Sequence, residues 1–327
     1  MKHLANPDLH TILPADEWQG TPFGKRGFQN IEHPFWPSFN DLLKWKLGKN
    51  PQKDEKKSDK LLPQVIASPS FLTTNENMVV WLGHATFFIR INGVSIITDP
   101  IFGKLPLIGR LSPFPFDPNL LKGIDYILLS HDHRDHCDKA SLKLVSKLNP
   151  KAKVLTGLVL ETLLKEWVVK NVEPAGWHQQ YKTEGVEVFY LPTRHWARRE
   201  FNDTNLSLWG AFVIRGGGKT IYFGGDSGYG SHFKQVGQLF PDIDVSILGC
   251  GAYSPRWFME PVHMSPEDAV TAFNETRAKT MLPMHYGTFD LSDEPYGEPV
   301  RILNRLKTDG IINGELQLPA IGQAVVF

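Results

Sequence analysis

The sequence predicts an α/β protein in which helices cover a β-sandwich. Short apolar runs bounded by turn residues dominate both halves of the region from Met78 to Met284, and segments with helical spacing lie between or after them. Such runs must bury their apolar faces against one another, and layered sheets with outer helices accomplish this. A chain of 327 residues is long enough to form this core without disulfide bonds.

The first 75 residues differ in composition from the rest of the chain. Residues 18–45 carry seven aromatic side chains in 28 positions, more than twice the 11% of the whole chain, which is too aromatic for a disordered tail. Within this stretch, Phe39 to Leu47 fits a short amphipathic helix with Ser38 or Asn40 as its N-cap. In the next stretch, Lys49 to Lys60, eight of twelve residues are charged, which predicts an exposed linker or loop.

Two roles are open for this N-terminal segment. It either packs as an arm onto the main domain, or it presents aromatic side chains to a membrane or a partner. The predicted domain organisation is an aromatic-rich arm with a charged linker over residues 1–75 and a catalytic domain over residues 76–327.

From Met78 onward, strands and helices follow one another at short intervals. Asn92-Gly93 predicts a tight hairpin turn between two of the strands. Strands are predicted at 79–82, 87–91, 94–98, 125–130, 153–156, 186–190, 206–214, 220–223, 245–248 and 280–284. Helices are predicted at 141–148, 158–168, 232–239 and 266–276.

Composition excludes several classes of protein. The 35 basic residues are balanced by 35 acidic ones, so the chain lacks the basic excess that binding to bulk nucleic acid requires. Cys137 and Cys250 form no CxxC pair, which predicts free thiols in a reducing compartment. Residues 1–20 contain no apolar signal region, and no apolar run approaches the ~20 residues of a membrane span. We expect a cytoplasmic protein, with contact at a membrane surface left open.

A histidine cluster follows the strand predicted at 125–130. Residues 131–136 read His-Asp-His-Arg-Asp-His, so three imidazoles and two carboxylates lie within six positions. A chain that turns back at a strand end lets side chains two residues apart converge on one ion, and imidazole with carboxylate is the ligand set of zinc and other first-row metals. The cluster therefore predicts a metal site.

Further ligands are expected at the ends of later strands. His195, Asp226 and His285 each follow a predicted strand, with Asp226 inside Gly224-Gly225-Asp226-Ser227-Gly228. Each of these residues, taken alone, has an ordinary alternative. For His195 it is a loop histidine, for Asp226 a glycine-rich turn or phosphate cradle, and for His285 a packed histidine. Together they would complete two coordination shells.

This order of motifs resembles the metallo-β-lactamase superfamily from about Met78 to His285 and beyond. The resemblance implies a four-layered αββα sandwich and a buried carboxylate, Asp99, that supports the metal loop. Zinc-type β-lactamases have cysteine where Asp226 stands, which disfavours antibiotic hydrolysis. The implied ligands are His131, His133 and His195 for one zinc and Asp135, His136 and His285 for the other, with Asp226 bridging.

A more specific resemblance is to the N-acylphosphatidylethanolamine-hydrolysing phospholipase D family. The run Gly251-Ala252-Tyr253-Ser254-Pro255-Arg256-Trp257-Phe258-Met259, followed by His263, is its most specific motif. Three features depart from the family: Arg134, Val262 and the N-terminal arm, which aligns only loosely. Further matching segments are residues 81–86, 98–102, 194–196, 225–229 and 285–289.

The resemblance implies a dinuclear zinc phosphodiesterase, with iron or manganese as alternative metals. A metal-bridging hydroxide would cleave N-acylphosphatidylethanolamine to an N-acylethanolamine and phosphatidate. Asp226 would orient the hydroxide, and His263 would protonate the leaving alcohol or hold the phosphate; its alternative is a structural histidine. His84 and Asp99 would support the metal ligands. The predicted substrate-binding residues are Tyr253, Arg256, Trp257, Phe258 and Arg134, with core packing as the competing interpretation of the aromatic ones.

Two other activities are compatible with the same residues. One is hydrolysis of a soluble phosphodiester or a phosphorylated lactone, and the other is redox chemistry at a di-iron site on the same fold. A nuclease is disfavoured by the balanced charge. The expected partner is a phospholipid or other phosphodiester, with membrane contact through the arm and a homodimer both left open.

Overall fold

Two β-sheets packed face to face form the centre of the protein. The structure is a computed structural model that describes residues 1–327. The strands are β1 Lys2–Leu4, β2 His10–Thr11, β3 Thr21–Gly24, β4 Gly27–Phe28, β5 Met78–Trp81, β6 Phe87–Ile91, β7 Val94–Thr98, β8 Tyr126–Leu129, β9 Lys153–Gly157, β10 Val172–Ala175, β11 Gln179–Gln180, β12 Glu187–Leu191, β13 Ala211–Gly216, β14 Lys219–Phe223, β15 Val245–Gly249, β16 Thr280–Met284, β17 Glu315–Leu316 and β18 Ala324–Val326. The α-helices are α1 Phe39–Leu47, α2 Lys53–Ser58, α3 Lys139–Leu148, α4 Leu160–Glu166, α5 His232–Leu239, α6 Arg256–Met259, α7 Pro266–Thr276 and α8 Glu298–Thr308.

Each central sheet combines antiparallel and parallel strands. The first has seven strands in the order β10-β9-β8-β7-β6-β5-β18, and the second has eight in the order β17-β16-β15-β14-β13-β12-β11-β2. Strands β7 to β10 are parallel in the first sheet, and β14 to β17 are parallel in the second. Parallel strands place their carboxyl ends at one edge of a sheet, which is where α/β proteins bind ligands.

Alternating side chains place each sheet between two apolar layers. In β5, Val79 and Trp81 face the cluster shared by the two sheets, whereas Val80 faces the cluster shared with Leu142 of α3 and Leu164 of α4. Successive residues of a strand point to opposite faces, so a strand buried on both sides is apolar throughout. Helices α5, α7 and α8 cover the second sheet, and Phe233 of α5 and Phe273 of α7 join its core. The architecture is therefore the four-layered αββα sandwich.

Most predicted elements are confirmed within one to three residues, but some predictions were wrong. Helix α1 has the predicted bounds, and the Ser38 side chain accepts a hydrogen bond from the Asp41 amide as its N-cap. The predicted loop at 49–60 contains the short helix α2, and the strand predicted at 206–214 begins only at Ala211. Strands β1 to β4, β10, β11, β17 and β18 and helices α6 and α8 were not predicted.

The N-terminal segment is attached to the main body at several points. Strands β1, β3 and β4 form a small antiparallel sheet, while β2 pairs with β11 at the end of the eight-stranded sheet. Phe28 is completely buried, and its amide donates to the Asn205 carbonyl at 2.7 Å. The neighbouring Gly27 has a φ of +121°, and a Cβ there would lie 2.1 Å from the same oxygen. Only glycine fits this close approach of two backbones. The division of the chain at residue 75 stays a prediction.

No helix has both the length and the apolar character that a membrane-spanning segment requires. The longest, α7 and α8, have 11 residues each.

Candidate metal centre

The histidine cluster forms a loop at the carboxyl end of β8. We call residues 131–137 the metal loop. The Asp99 side chain, directly after β7, fixes the start of this loop: its Oδ1 accepts from the Ser130 amide at 2.7 Å, and its Oδ2 accepts from the Ser130 hydroxyl at 2.6 Å. Asp99 also accepts from His136 Nδ1 at 2.7 Å. One fully buried carboxylate thus holds both ends of the ligand sequence in place.

Three imidazole nitrogens converge on one point. His131 Nε2 lies 2.9 Å from His133 Nδ1, and His195 Nε2 lies 3.2 Å from the same atom. Two ligands about 2.05 Å from a tetrahedral zinc ion are separated by roughly 3.3 Å, so this spacing fits a single ion. The remote nitrogens of two rings are held from behind, because His131 Nδ1 is 2.9 Å from the Ser130 hydroxyl and His195 Nδ1 donates to the Val262 carbonyl at 2.9 Å.

A second cluster lies beside the first and shares one carboxylate with it. Asp135 Oδ2 is 3.7 Å from His136 Nε2 and 3.5 Å from His285 Nε2. Asp226 Oδ2 lies 3.1 Å from His136 Nε2 and 3.2 Å from His285 Nε2. The same oxygen is 4.0 Å from His131 Nε2 and 3.8 Å from His195 Nε2 in the first cluster. The structure therefore brings all seven expected ligands together, with Asp226 between two triads.

The donor atoms of this site have the properties of metal ligands. His136 Nε2, His285 Nε2 and Asp226 Oδ1 are buried and have no hydrogen-bond partner in the protein. Buried polar atoms are normally paired, so such a concentration of unpaired donor atoms at one place fits a metal-binding site. Burial alone would raise the pKa of Asp226, but the imidazoles of His136 and His285 outweigh it and hold that pKa well below its usual value. An ionised carboxylate among imidazole nitrogens fits zinc, iron or manganese.

His84 contacts one of the expected ligands of the second cluster. Its Nε2 donates to Asp135 Oδ2 at 3.0 Å, so it orients a carboxylate rather than an imidazole, and its ring packs 4.1 Å from that of His285. Burial and the neighbouring His285 lower the pKa of His84 to about 3. His84, Asp99 and His285 all have positive φ angles of 54°, 32° and 69°. Such backbone conformations cost about 1–3 kcal/mol each and concentrate at functional sites.

A cleft of about 350 Å³ leads from the surface to the clusters. His263 lies on its wall, with Nδ1 3.8 Å from Asp226 Oδ2, and burial lowers its pKa to about 4. Arg134 and Phe258, two of the predicted substrate-binding residues, also line the cleft. The Arg134 guanidinium additionally pairs with Glu200 at 3.1 Å.

The other three expected substrate residues do not line this cleft. Tyr253 is buried, and its hydroxyl donates to Glu298 at 2.5 Å. The Arg256 guanidinium pairs with Asp268 at 2.7 Å, within the capping box at the start of α7. Trp257 is half exposed, with the Lys44 ammonium over its ring. The motif identified these residues, and Tyr253 and Arg256 have structural partners in Glu298 and Asp268, so their part in substrate binding stays a prediction.

Several cleft residues were not identified from the sequence. Arg198 and Arg199 line the cleft from the loop after β12, and Phe35 and Pro37 reach it from the N-terminal arm. The two arginines stand three and four residues beyond His195, so proximity to a candidate ligand was the one available signal. No sequence signal placed Phe35 and Pro37 at the cleft, because their position depends on contacts with residues distant in sequence.

The fold and the paired clusters define the class of protein. A family model described as "Beta-lactamase superfamily domain" matches residues 95–286, which include all seven clustered side chains. The chain belongs to this superfamily and is a metal-dependent hydrolase of it. Among solved structures it is similar to Igni18, a metallo hydrolase from Ignicoccus hospitalis, with a TM-score of 0.59 and 20% identity over 77% of this chain and 98% of that one.

Two curated relatives carry the name of the same enzyme. The chain is 30% identical to "N-acyl-phosphatidylethanolamine-hydrolyzing phospholipase D 1" of Caenorhabditis elegans, over 91% of this chain and 84% of the relative. It is also 30% identical to "N-acyl-phosphatidylethanolamine-hydrolyzing phospholipase D, mitochondrial" of Saccharomyces cerevisiae, over 76% of this chain and 55% of the relative. These identities confirm the resemblance to this phospholipase D family that the sequence motifs indicated.

Proposed function

We propose that this chain is a dinuclear zinc-dependent phosphodiesterase that cleaves N-acylphosphatidylethanolamine to an N-acylethanolamine and phosphatidate. The observation that carries the proposal is the Asp226 carboxylate, placed between two triads of converging ligands at the base of an arginine-lined cleft. The names of the Caenorhabditis elegans and Saccharomyces cerevisiae relatives support the substrate.

The chemistry divides between the metals and the side chains. When bound, a pair of divalent ions supplies Lewis-acid polarisation of the phosphoryl oxygens and activation of water at neutral pH. His131, His133 and His195 would hold one ion, and the second triad the other, with Asp226 common to both. Asp226 Oδ2 is also positioned to accept a proton from the attacking water and so to orient it.

The cleft provides complementary charge for a phosphodiester. Arg134 and Arg198 line its walls and supply cationic side chains. Guanidinium matches the geometry of a phosphate anion and, aimed at a site with little water, stabilises the charge that develops in the transition state. These side chains favour an anionic diester over a neutral amide, although the whole chain has no net charge.

His263 is our candidate for protonating the leaving alcohol or holding the phosphate. It is the one histidine at the cleft wall that belongs to neither triad. We expect His263→Ala to lower kcat on a phosphodiester by about 10²-fold, the smaller end of the range for a general acid, with unchanged metal content. Steady-state kinetics with metal analysis of the same samples measures both. Full turnover in the variant would remove His263 from the mechanism.

The surface next to the cleft fits a substrate that resides in a membrane. Phe39, Leu43 and Leu47 follow one another at intervals of four along α1 and are 74%, 45% and 78% exposed; we call them the α1 stripe. Trp45 connects this helix to the cleft, because its ring packs 5.1 Å from that of Phe258. An exposed apolar stripe with lysines beside it is typical of helices that lie in the lipid headgroup region.

Replacing the α1 stripe tests this membrane role. We expect the combined Phe39→Ser, Leu43→Ser and Leu47→Ser variant to hydrolyse N-acylphosphatidylethanolamine in anionic vesicles about 10-fold more slowly, because it loses apolar area for insertion. Hydrolysis of the water-soluble bis(p-nitrophenyl) phosphate should not change. A control variant, Leu120→Ser with Ile311→Ser, removes two half-exposed apolar residues outside the cleft and should keep both rates. Equal vesicle rates in all three proteins would contradict the role of the stripe.

The decisive experiment is product analysis on purified protein of known metal content. The proposal requires about two zinc ions per chain and release of N-acylethanolamine and phosphatidate from the lipid. Hydrolysis confined to soluble diesters or phosphorylated lactones would overturn the lipid substrate, and two iron ions with oxygen consumption would overturn the proposed zinc-dependent phosphodiesterase activity.

A further inference from the structure

Arg199 contacts the backbone of the metal loop through its guanidinium group. Its Nη1 donates to the Cys137 carbonyl at 2.7 Å and to the Asp132 carbonyl at 3.3 Å. These two carbonyls bracket residues 133–136, which include His133, Asp135 and His136. A single guanidinium group therefore connects the two ends of the segment that supplies ligands to both triads.

Arg199 is itself held firmly. Its amide donates to Asp203 Oδ1 at 3.1 Å, and its carbonyl accepts from Arg134 Nη2 at 3.2 Å. The guanidinium lies over the buried ring of Trp167, 4.9 Å from the centroid. Stacking on an aromatic ring fixes the plane of a guanidinium group, so its donors are aimed before any ligand binds.

A second contact from the same segment reinforces the loop. The Ser207 hydroxyl donates to Asp132 Oδ2 at 2.5 Å. Asp132 is therefore held twice by residues 199–207: Arg199 binds its backbone carbonyl and Ser207 binds its side chain. Residues that orient the ligands of a metal from behind affect its affinity by about 10- to 100-fold.

We propose that Arg199 is a positioning residue for the metal centre, acting by clamping the backbone of the metal loop rather than by binding metal or substrate. The clamp fixes the separation of the Asp132 and Cys137 carbonyls, and with it the directions in which His133 and Asp135 point. The inference rests on the metal-binding part of the proposed function and not on its substrate.

Electrostatics alone predicts the opposite effect of removing this side chain. A guanidinium cation next to a cation site repels the ion, so neutralising it would strengthen metal binding. If the clamp dominates, neutralising it weakens metal binding instead. The sign of the change therefore separates the two contributions.

The test is a zinc titration of metal-stripped, full-length protein against a chromophoric chelator. We expect Arg199→Gln to weaken zinc affinity by about 10-fold or more. Arg199→Met, which keeps an unbranched side chain but has no hydrogen-bond donor, should show the same loss and serves if the first variant folds poorly. The d–d absorption of bound Co²⁺ should also change in both, because the ligand geometry is no longer fixed.

The matched control is Arg198→Gln. Arg198 is the adjacent residue and lines the same cleft, but its guanidinium lies over Trp196 and donates to no atom of the metal loop. It should keep wild-type zinc affinity while raising KM for an anionic diester. Far-UV circular dichroism of each stripped protein establishes that it is folded. Zinc affinity equal to or above wild type in a folded Arg199 variant would overturn the proposal, whereas a chain that binds zinc normally but cleaves no phosphodiester would overturn only the proposed substrate.

Discussion

Asp226→Asn is expected to lower the phosphodiesterase kcat by about 10³-fold. Asp226 Oδ2 is the one carboxylate oxygen within 4.0 Å of imidazole nitrogens from both triads. A metal pair contributes several kcal/mol to transition-state stabilisation, and about 4 kcal/mol corresponds to about 10³ in rate. An amide in place of the carboxylate removes a negative charge between two sites for cations, so the second metal ion should also be lost at moderate zinc concentrations.

Asp132→Asn is the matched control for this prediction. Asp132 is a buried aspartate of the same loop, but its Oδ2 binds Ser207 rather than either triad, and an asparagine oxygen can still accept that hydrogen bond. We expect it to retain two zinc ions and a kcat close to wild type. Zinc stoichiometry by elemental analysis and kcat from the same preparation decide the matter. Two tightly bound zinc ions in Asp226→Asn would contradict the bridging role.

The arrangement of the metal ligands could be predicted because it depends on strand ends. Asp99 follows β7, and His131, Asp226 and His285 follow β8, β14 and β16 within three residues. These strands are parallel to neighbours within their sheets, so their carboxyl ends lie at one edge and the residues after them meet. A strand is recognisable from local apolar sequence, and the ligand position is then fixed by connectivity.

The environment of the substrate residues could not be predicted in this way. The Arg256 guanidinium pairs with Asp268, 12 residues further along the chain. The Tyr253 hydroxyl donates to Glu298, 45 residues further along. A motif gives the identity of a residue but not the partner that tertiary packing supplies. Helix α8, which contributes Glu298, was not predicted, although Val300, Leu303 and Leu306 recur at helical spacing and pack on the core.

The unpredicted secondary structure has similar physical causes. Strand β10 contains Pro174 and lies at the edge of its sheet, the position where proline is tolerated although it argues against a strand in sequence. Helix α2 has no buried residue and only six residues in all, too few for stability on its own. Ion pairs with the main body support it, since Arg301 contacts Asp59 at 2.9 Å and Lys56 contacts Asp290 at 2.5 Å.

Substitutions of Asp99 separate an effect on metal affinity from an effect on folding stability. Its Oδ2 accepts from His136 Nδ1 at 2.7 Å, which places the ring proton on Nδ1. The Nε2 lone pair is then available as a metal donor beside Asp226. Asp99→Asn can retain the bond from the Ser130 amide, but if its NH₂ group faces His136, Nδ1 must become the acceptor. The proton then moves to Nε2, and that nitrogen can no longer bind metal.

Two variants of Asp99 should therefore fail in different ways. Asp99→Ala leaves the Ser130 amide and His136 Nδ1 buried without a partner, and we expect a loss of about 3–5 kcal/mol in the free energy of unfolding. Asp99→Asn should unfold close to wild type when stripped of metal, yet bind zinc about 10- to 100-fold more weakly. Urea denaturation of the stripped proteins and zinc titration measure the two quantities separately. Parallel losses of stability and zinc affinity in both variants would mean that Asp99 only supports the fold, whereas loss of affinity alone in Asp99→Asn would show that it sets the tautomer of a metal ligand.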